Sequence, residues 1–218
     1  MVSAPSVLQN QIAETWFTTT WEEFLELTNH PSHAQGRFYY DHGYARIEAM
    51  PIGSGHSQDN TILSQVVSLY AMVKNIRVKG FTNGSFRKAG LQECQPDLAF
   101  YTGEAFTFPP KTSAPVDVNV YGPPTLVIEI SASSLNEDLG QKRLLYERLG
   151  VQEYWVADVT EIQVTAFAVE EGGSKQIQES KVLAGLSISV VEEALSRSQT
   201  EDDGAINRWL LQTFTPEA

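Results

Sequence analysis

Cysteine is almost absent from this sequence, since Cys94 is the only one among its 218 residues. A disulfide within the chain is therefore excluded, and so little cysteine is typical of a reducing compartment. No apolar run reaches the roughly 18 residues of a membrane-spanning helix, so we expect no segment to span a membrane. The opening MVSAPSVLQN lacks the basic and then apolar pattern of a signal peptide, and we expect a cytoplasmic protein.

Basic residues are in the minority: Lys and Arg number 15 against 27 Asp and Glu, and the formal net charge is −12. This balance argues against a protein that grips nucleic acid over its whole surface, because that affinity comes from Lys and Arg. One segment, residues 75–90, contains no acidic residue. Together with the preceding Lys74, its basic residues are Arg77, Lys79, Arg87 and Lys88. Its Asn83-Gly84 pair predicts a hairpin turn, so the segment is either a local basic face or an ordinary hairpin with solvated lysines.

Three common signatures of catalytic sites are also missing. The sequence has no glycine-rich phosphate-binding loop, no Cys and His set with zinc-site spacing, and no recognisable Ser-His-Asp arrangement. It therefore gives no support for a P-loop nucleotide hydrolase, a zinc centre or a serine hydrolase.

What the sequence does contain is apolar material for a sizeable core, because 42% of its residues are hydrophobic. We assign residues 1–195 to a single domain, with its core at about 20–190, and residues 196–218 to an acidic C-terminal tail with a short helix. The predicted elements run as a helix, antiparallel hairpins, and then strand, helix and strand. This order predicts an α+β fold with an α/β core.

Local signals fix several of these elements. Thr20 and Glu23 have the spacing of a capping box, which predicts a helix start. Asp41-His42-Gly43 lies between two β-rich runs and predicts a hairpin. Apolar residues recur at helical spacing between His56 and about Lys74, which predicts the longest helix.

An acidic residue interrupts the most apolar predicted strand, TLVIEISASS. Glu129 stands there in a run whose apolar members are Leu126, Val127, Ile128 and Ile130. A carboxylate in a buried strand must be paired, protonated or bound to a metal, because an isolated buried charge is too costly. The rest of the chain must therefore supply its partner.

The helix after this strand supplies a candidate. At about 100° per residue, Lys142 lies in the middle of its apolar face. The other members of that face are Leu139, Leu145, Tyr146 and Leu149. A lysine so placed either extends its head group to solvent or contacts a carboxylate. Because a short loop joins the strand to the helix, we expect Lys142 to be the partner of Glu129.

A second carboxylate, Asp97, opens another strand in QPDLAFY. Asp97 and Glu129 together would offer the hard oxygen ligands that suit Mg²⁺, or Mn²⁺ in its place. The Lys142 ammonium could then orient a water nucleophile or stabilise charge on phosphorus. The alternative is that Glu129 belongs to a purely structural ion pair.

Four segments carry a resemblance to a known group of proteins. They are EAMPIGSGH (48–56), QPDLAFY (95–101), PTLVIEISASS (124–134) and DLGQKRLLYERLGVQEYWVAD (138–158). The chain resembles the PD-(D/E)XK nuclease superfamily and, more closely, its Uma-two family of restriction endonuclease-like proteins. This resemblance implies a restriction-endonuclease-like mixed β-sheet flanked by helices, with Asp97 and Glu129 on adjacent strands as ligands of Mg²⁺.

The resemblance fails at one position. The superfamily's lysine stands two residues after the strand glutamate, where this chain has Ser131. The resemblance suggests that the lysine has moved to the following helix as Lys142, the residue that the helical-wheel argument selects independently. It also implies that Glu48 and His56 lie near the metal site. Taken alone, Glu48 reads as the solvent face of a hairpin and His56 as a helix cap.

Two functions of different classes are compatible with these residues. The first is a Mg²⁺-dependent endonuclease that hydrolyses DNA, with Asp97, Glu129 and Lys142 as catalytic residues. A homodimer is then expected by analogy, because cleavage of a duplex needs two sites. The second is a catalytically inactive nuclease-fold module that binds nucleic acid or protein and keeps the site as a structural ion pair. A nuclease specific for RNA or for branched structures cannot be separated from the first by sequence.

Overall fold

The computed structural model describes residues 14–49, 53–171 and 173–215. In chain order its helices and strands are β1 (Phe17–Thr18), α1 (Trp21–Asn29), β2 (Gly36–Asp41), β3 (Tyr44–Ala49), α2 (Ser54–Val73), β4 (Val78–Thr82), β5 (Phe86–Lys88), β6 (Gln92–Cys94), β7 (Leu98–Thr102), β8 (Val116–Asp117), α3 (Val118–Tyr121), β9 (Leu126–Ser131), α4 (Leu135–Glu137), α5 (Arg143–Leu149), β10 (Glu153–Asp158), β11 (Gln163–Glu170), β12 (Gly173–Ile177), α6 (Ile188–Arg197) and α7 (Asp203–Phe214). Within these ranges, no helix combines the length and apolar character needed to cross a membrane.

The strands form two six-stranded sheets. Sheet A has the order β1-β3-β2-β6-β5-β8, and sheet B has the order β12-β11-β10-β9-β7-β4. In sheet B, β9 and β10 run parallel while the other neighbouring strands are antiparallel. The expected α+β class, with a mixed sheet flanked by helices, is therefore confirmed. The division of the strands between two sheets was not foreseen.

The first predicted hairpin is confirmed and the second is wrong. His42 and Gly43 both have positive φ between β2 and β3, as a tight two-residue hairpin turn requires. Asn83 also has positive φ, but β4 pairs with β7 of sheet B while β5 pairs with β6 and β8 of sheet A. The Asn83-Gly84 pair turns the chain as its chemistry predicts, and the turn carries it from one sheet to the other.

The alternation of side chains along β9 decides where its carboxylate points. Leu126, Ile128 and Ile130 pack with α2, α6 and α7 in the larger apolar cluster. Val127 faces the other way, into a cluster with residues of sheet A and α5. Because side chains alternate along a strand, Glu129 lies on the same face as Val127. It is therefore directed into the gap between the two sheets.

The C-terminal helix α7 packs into the domain. Its Ile206, Leu210 and Phe214 are buried in the cluster that covers sheet B. Asp202 accepts a hydrogen bond from the backbone N–H of Ala205, so an acidic residue of the segment serves as the N-cap of this helix. The segment that the sequence analysis treated as an acidic tail thus contributes apolar side chains to the core.

Candidate active site

The two carboxylates selected from the sequence lie next to each other on sheet B. The antiparallel register that pairs Leu98 with Ile128 continues to bring Asp97 opposite Glu129. The backbone N–H of Asp97 lies 3.4 Å from Glu129 Oε2, and Asp97 Oδ2 accepts a hydrogen bond of 2.8 Å from the N–H of Ile130. Both side chains are 1% exposed. The expectation of adjacent strands is confirmed.

An arginine from sheet A holds both carboxylates. Arg37 donates through Nη1 to Asp97 at 2.8 Å and lies 3.3 Å from Glu129 through Nη2. Its Nε and Nη2 also donate to the carbonyl of Gln95. The guanidinium is itself buried. Since a buried charge must be compensated, this arrangement satisfies one cation and two carboxyl groups together.

Two tyrosines complete the surroundings of Glu129. Tyr146 of α5 donates to Glu129 Oε1 at 2.6 Å, and the Tyr39 hydroxyl of β2 lies 3.4 Å from the same oxygen. Burial raises the pKa of both phenols well above the ordinary value, so they remain donors. Glu129 is thus held from three sides by groups that a helix and a second sheet supply.

The prediction that Lys142 is the direct partner of Glu129 is wrong. The Lys142 ammonium lies 3.0 Å from Glu48 Oε2 and 3.0 Å from Asp138 Oδ1. Lys142 ends a widened helical turn, Asp138–Lys142, in which Gly140 departs from helical φ and ψ. The four-residue spacing puts Asp138 and Lys142 on one face of this turn, as it would in a regular helix.

The secondary candidates lie at the same place. Glu48 pairs across the β2–β3 hairpin with Arg37, and Arg46 Nε donates to it at 2.6 Å. The Nε2 of His56, at the start of α2, lies 2.9 Å from Asp97 Oδ1. Glu48 is 9% exposed, so it does not lie on a solvent face. A cavity of about 410 Å³ is lined by all the predicted site residues, which are Glu48, His56, Asp97, Glu129 and Lys142.

The two carboxyl groups of sheet B differ in pKa. Burial raises the pKa of Glu129 from its ordinary 4.5 to about 8, although the charges of Lys142 and Arg37 act in the opposite direction. Burial also acts to raise the pKa of Asp97, but the hydrogen bond to His56 and the charge of Arg37 outweigh it and lower that pKa to about 2. The surroundings therefore favour the ionised form of Asp97, whereas burial disfavours the ionised form of Glu129.

The lysine is held in its charged form. Burial by itself would lower the pKa of Lys142, but the charges of Glu129, Asp138 and Glu48 raise it above the ordinary value. An ammonium with a raised pKa does not act as a general base near neutral pH. It can orient a water molecule or stabilise negative charge that develops beside it.

The carboxylate oxygens of the site suit a hard divalent cation, but Arg37 competes with a cation for them. Mg²⁺ is commonly held by one or two carboxylates and several waters, and Asp97 and Glu129 present such oxygens at the cavity. Among the described residues, no group of three or more His, Cys, Asp or Glu side chains could hold a metal ion. Arg37 occupies the position between the two carboxylates, so a cation there would have to share or displace its contacts.

Sequence reasoning missed Arg37, Tyr39 and Asp138. A signal for Arg37 was available, because the hairpin turn at His42 and Gly43 fixes a register in which Arg37 faces Glu48. A signal for Asp138 was available as well, because it stands four residues before Lys142, which is the spacing of a helical ion pair.

Comparison with known proteins agrees with this geometry. Residues 21–206 match the sequence model of the Uma2 family, described as "putative restriction endonuclease". The chain belongs to this family. No curated protein matches the chain. A crystal structure titled as a "putative nuclease belonging to DUF820" from Anabaena variabilis is similar, with a TM-score of 0.55 and 20% sequence identity. The match covers 81% of this Uma2-family chain and 99% of that one, and at this identity it shows a shared fold.

Proposed function

We propose that this protein is a Mg²⁺-dependent endonuclease that hydrolyses DNA phosphodiester bonds, with Mn²⁺ able to replace Mg²⁺. Asp97 and Glu129 would hold the cation, and Lys142 would supply the ammonium that the related superfamily carries two residues after the strand glutamate. The observation that carries the proposal is the meeting of these three buried groups at one open cavity, although they come from β9, the start of β7 and the turn before α5.

The bound cation would supply a Lewis acid for the phosphate and lower the pKa of a water molecule. The residues of the chain would bind the cation, orient the ligands and stabilise charge on the phosphate. Only the ionised form of Glu129 could act as a ligand, and Tyr146 would keep its carboxylate oriented. Lys142 would remain an ammonium beside the cavity and stabilise charge on the phosphate oxygens.

Metal binding is the direct test. Titration calorimetry of the wild type with Mg²⁺ and Mn²⁺ at low salt should give binding that Asp97→Asn and Glu129→Gln abolish. Glu170→Gln, which changes an exposed carboxylate on β11, is the matched control and should bind like the wild type. Thermal unfolding of each variant shows whether it is folded. If folded wild-type protein binds neither cation, the proposal fails.

Cleavage assays then test the lysine. Nicking of supercoiled plasmid should fall by about 10²–10³-fold in Lys142→Met, the loss seen when one preorganised donor is removed from a reaction centre. Arg143→Met, which changes the partly exposed next residue, serves as the control. Unchanged nicking in folded Lys142→Met would exclude the role of this lysine. RNA and branched DNA of equal length would show which nucleic acid is preferred.

A second candidate is a nuclease-fold module that binds without cleaving. It is favoured by one observation, namely that the buried charges of the site are already paired: Arg37 with Asp97 and Glu129, and Lys142 with Glu48 and Asp138. In this case Lys142→Met should leave nucleic-acid binding intact, and no property of the protein should depend on Mg²⁺.

Two further expectations accompany the nuclease proposal. A homodimer would bring two sites to one duplex, and light scattering of the purified protein measures its mass directly. The cytoplasmic location expected from the lone cysteine stays a prediction.

A further inference from the structure

A polar groove begins beside the candidate active site. It is lined by the first turns of α2 and the end of β4, where all seven side chains are hydroxyls or amides, including Ser57, Asn60 and Asn83. Ser57 follows His56, which lines the cavity of the site, and the N–H of Asn83 donates to the carbonyl of Asp97 at 3.0 Å. The groove and the cavity are therefore neighbours on the surface.

The amides of this groove have unused hydrogen-bonding capacity. Among the described residues, the side-chain oxygens of Asn60, Gln65 and Asn83 have no hydrogen-bond partner. Asn60 is only 9% exposed. These oxygens are themselves covered, so the groove offers a ligand its remaining hydroxyl and amide groups. Hydroxyls and amides contact the phosphates, sugars and bases of nucleic acids.

The groove adjoins a second cavity of about 690 Å³, and Asn83 lines both. The charged side chains that line this cavity are Lys79, Arg87, Lys111 and Glu93; they sum to a positive charge, although Glu93 pairs with Arg87. Residues 74–90 hold five of the 15 basic residues of the chain and no acidic one, although the chain as a whole carries a net charge of −12. The basic residues of this face would therefore attract a polyanion, and the acidic remainder of the surface would repel it.

An exposed aromatic side chain, Phe108, lies beside Lys79 on this face. Phe108 is 55% exposed, Arg77 lies 4.5 Å from its ring centroid, and the Lys79 ammonium lies 5.7 Å from it. Arg77 also lies 3.9 Å from the ring centroid of Phe106. Cations interleaved with aromatic rings are the recurring surface for single-stranded nucleic acid, because unpaired bases stack on the rings while phosphates meet the cations.

We propose that a single-stranded segment of nucleic acid leaves the candidate active site along this polar groove and ends on the basic face at Lys79 and Phe108. This inference rests on the proposed function for the direction of the strand, and it deepens that function by naming an unpaired segment as the preferred substrate. A duplex offers no free base to Phe108, so the same face should hold it less tightly.

Fluorescence anisotropy with a labelled 20-nucleotide single strand and the matching duplex, both in EDTA, tests the proposal without cleavage. Lys79→Ala should weaken single-strand binding about 3- to 10-fold and reduce the slope of log K against log salt by about 0.7. Phe108→Ala should weaken it by about tenfold, the lower part of the range for loss of one stacked base. Asn83→Gly removes the carboxamide at a position of positive φ that glycine tolerates, and should weaken it about threefold.

The controls make the same chemical changes elsewhere. Lys175→Ala removes an exposed lysine from β12, at the opposite edge of sheet B, and Tyr44→Ala removes an aromatic ring that is 48% exposed. Both should bind like the wild type. Equal affinity of all five variants and the wild type, or tighter binding of the duplex by the wild type, overturns the inference. Because these measurements contain no metal, their outcome is independent of the calorimetry and nicking assays that decide the proposed function.

Discussion

The ammonium nitrogen of Lys142 lies 3.0 Å from a carboxylate oxygen of Glu48, and this contact joins the turn before α5 to β3 of sheet A. Both side chains are buried, and they are 94 residues apart in the chain. The lysine therefore ties the turn before α5 to sheet A and also supplies the charge that the proposed chemistry needs. Stability and function should respond together when it is changed.

Loss of this contact should be costly. Lys142→Met leaves Asp138 buried without its cation and Glu48 with Arg46 alone, and we expect the free energy of unfolding to fall by about 3–5 kcal/mol. Combining it with Glu48→Gln should recover part of the loss, because the pair is then removed together. Urea unfolding of the single and double variants measures this coupling. Strictly additive effects would contradict the contact.

Arg37 should compete with the cation. In Arg37→Met, Asp97 and Glu129 lose the guanidinium that neutralises them, and the protein without metal should be destabilised by about 3–5 kcal/mol. Saturating Mg²⁺ should then raise the melting temperature of this variant more than that of the wild type, because ligand binding stabilises the folded state. Arg148→Met, which removes an arginine paired with Asp41, is the control. An equal Mg²⁺ response in both proteins would exclude the competition.

The raised pKa of Glu129 predicts a pH dependence of stability. Burial raises the pKa of this carboxyl from 4.5 to about 8, so between these values the folded state binds more protons than the unfolded state. The free energy of unfolding should therefore fall as pH rises from about 5 to 8. Glu129→Gln should flatten this slope, while Glu170→Gln should preserve it. Denaturation at several pH values checks the sign, and a rising wild-type slope would contradict the assignment.

Asp97 should affect the stability of the fold at acidic pH. Its pKa is lowered to about 2, so its contribution to stability is present above its unfolded-state value of 3.8 and is lost as pH falls toward 2. Asp97→Asn should remove that acid-sensitive part of the curve. Far-ultraviolet circular dichroism during acid titration measures it, and an unchanged acid midpoint would speak against the Arg37–Asp97 pair.

The packing of α7 can be tested independently of the site. Leu210→Ala deletes a fully buried side chain, and we expect the free energy of unfolding to fall by about 2–5 kcal/mol. Gln212→Ala, on the exposed side of the same helix, should have little effect. If both substitutions are neutral in urea unfolding, this helix does not belong to the core.

The elements predicted well were those with strong local signals. The Thr20 capping box, the turn at His42 and Gly43 and the apolar strand around Glu129 each follow from a few adjacent residues. Asp97 and Glu129 were brought together by the resemblance, and the register of β7 with β9 places them opposite each other. The burial of Lys142 followed from the helical wheel.

What failed depended on contacts between distant elements. The contact of Lys142 with Glu48 was missed because it depends on the approach of sheet A to the turn before α5, which is a tertiary feature. The crossing at Asn83 was missed because the turn chemistry of Asn-Gly is the same whether the next strand pairs locally or joins another sheet. Local rules fix backbone geometry, but they do not choose between distant partners.

The wide separation of the site residues has a consequence during synthesis. Glu48, Asp97 and Glu129 leave the ribosome before Lys142, and Arg37 must meet a carboxylate 92 residues further along. A nascent chain therefore carries acidic groups with no complete constellation until the turn before α5 has emerged and the two sheets have closed. The candidate site therefore cannot form in any part of the chain that ends before Lys142.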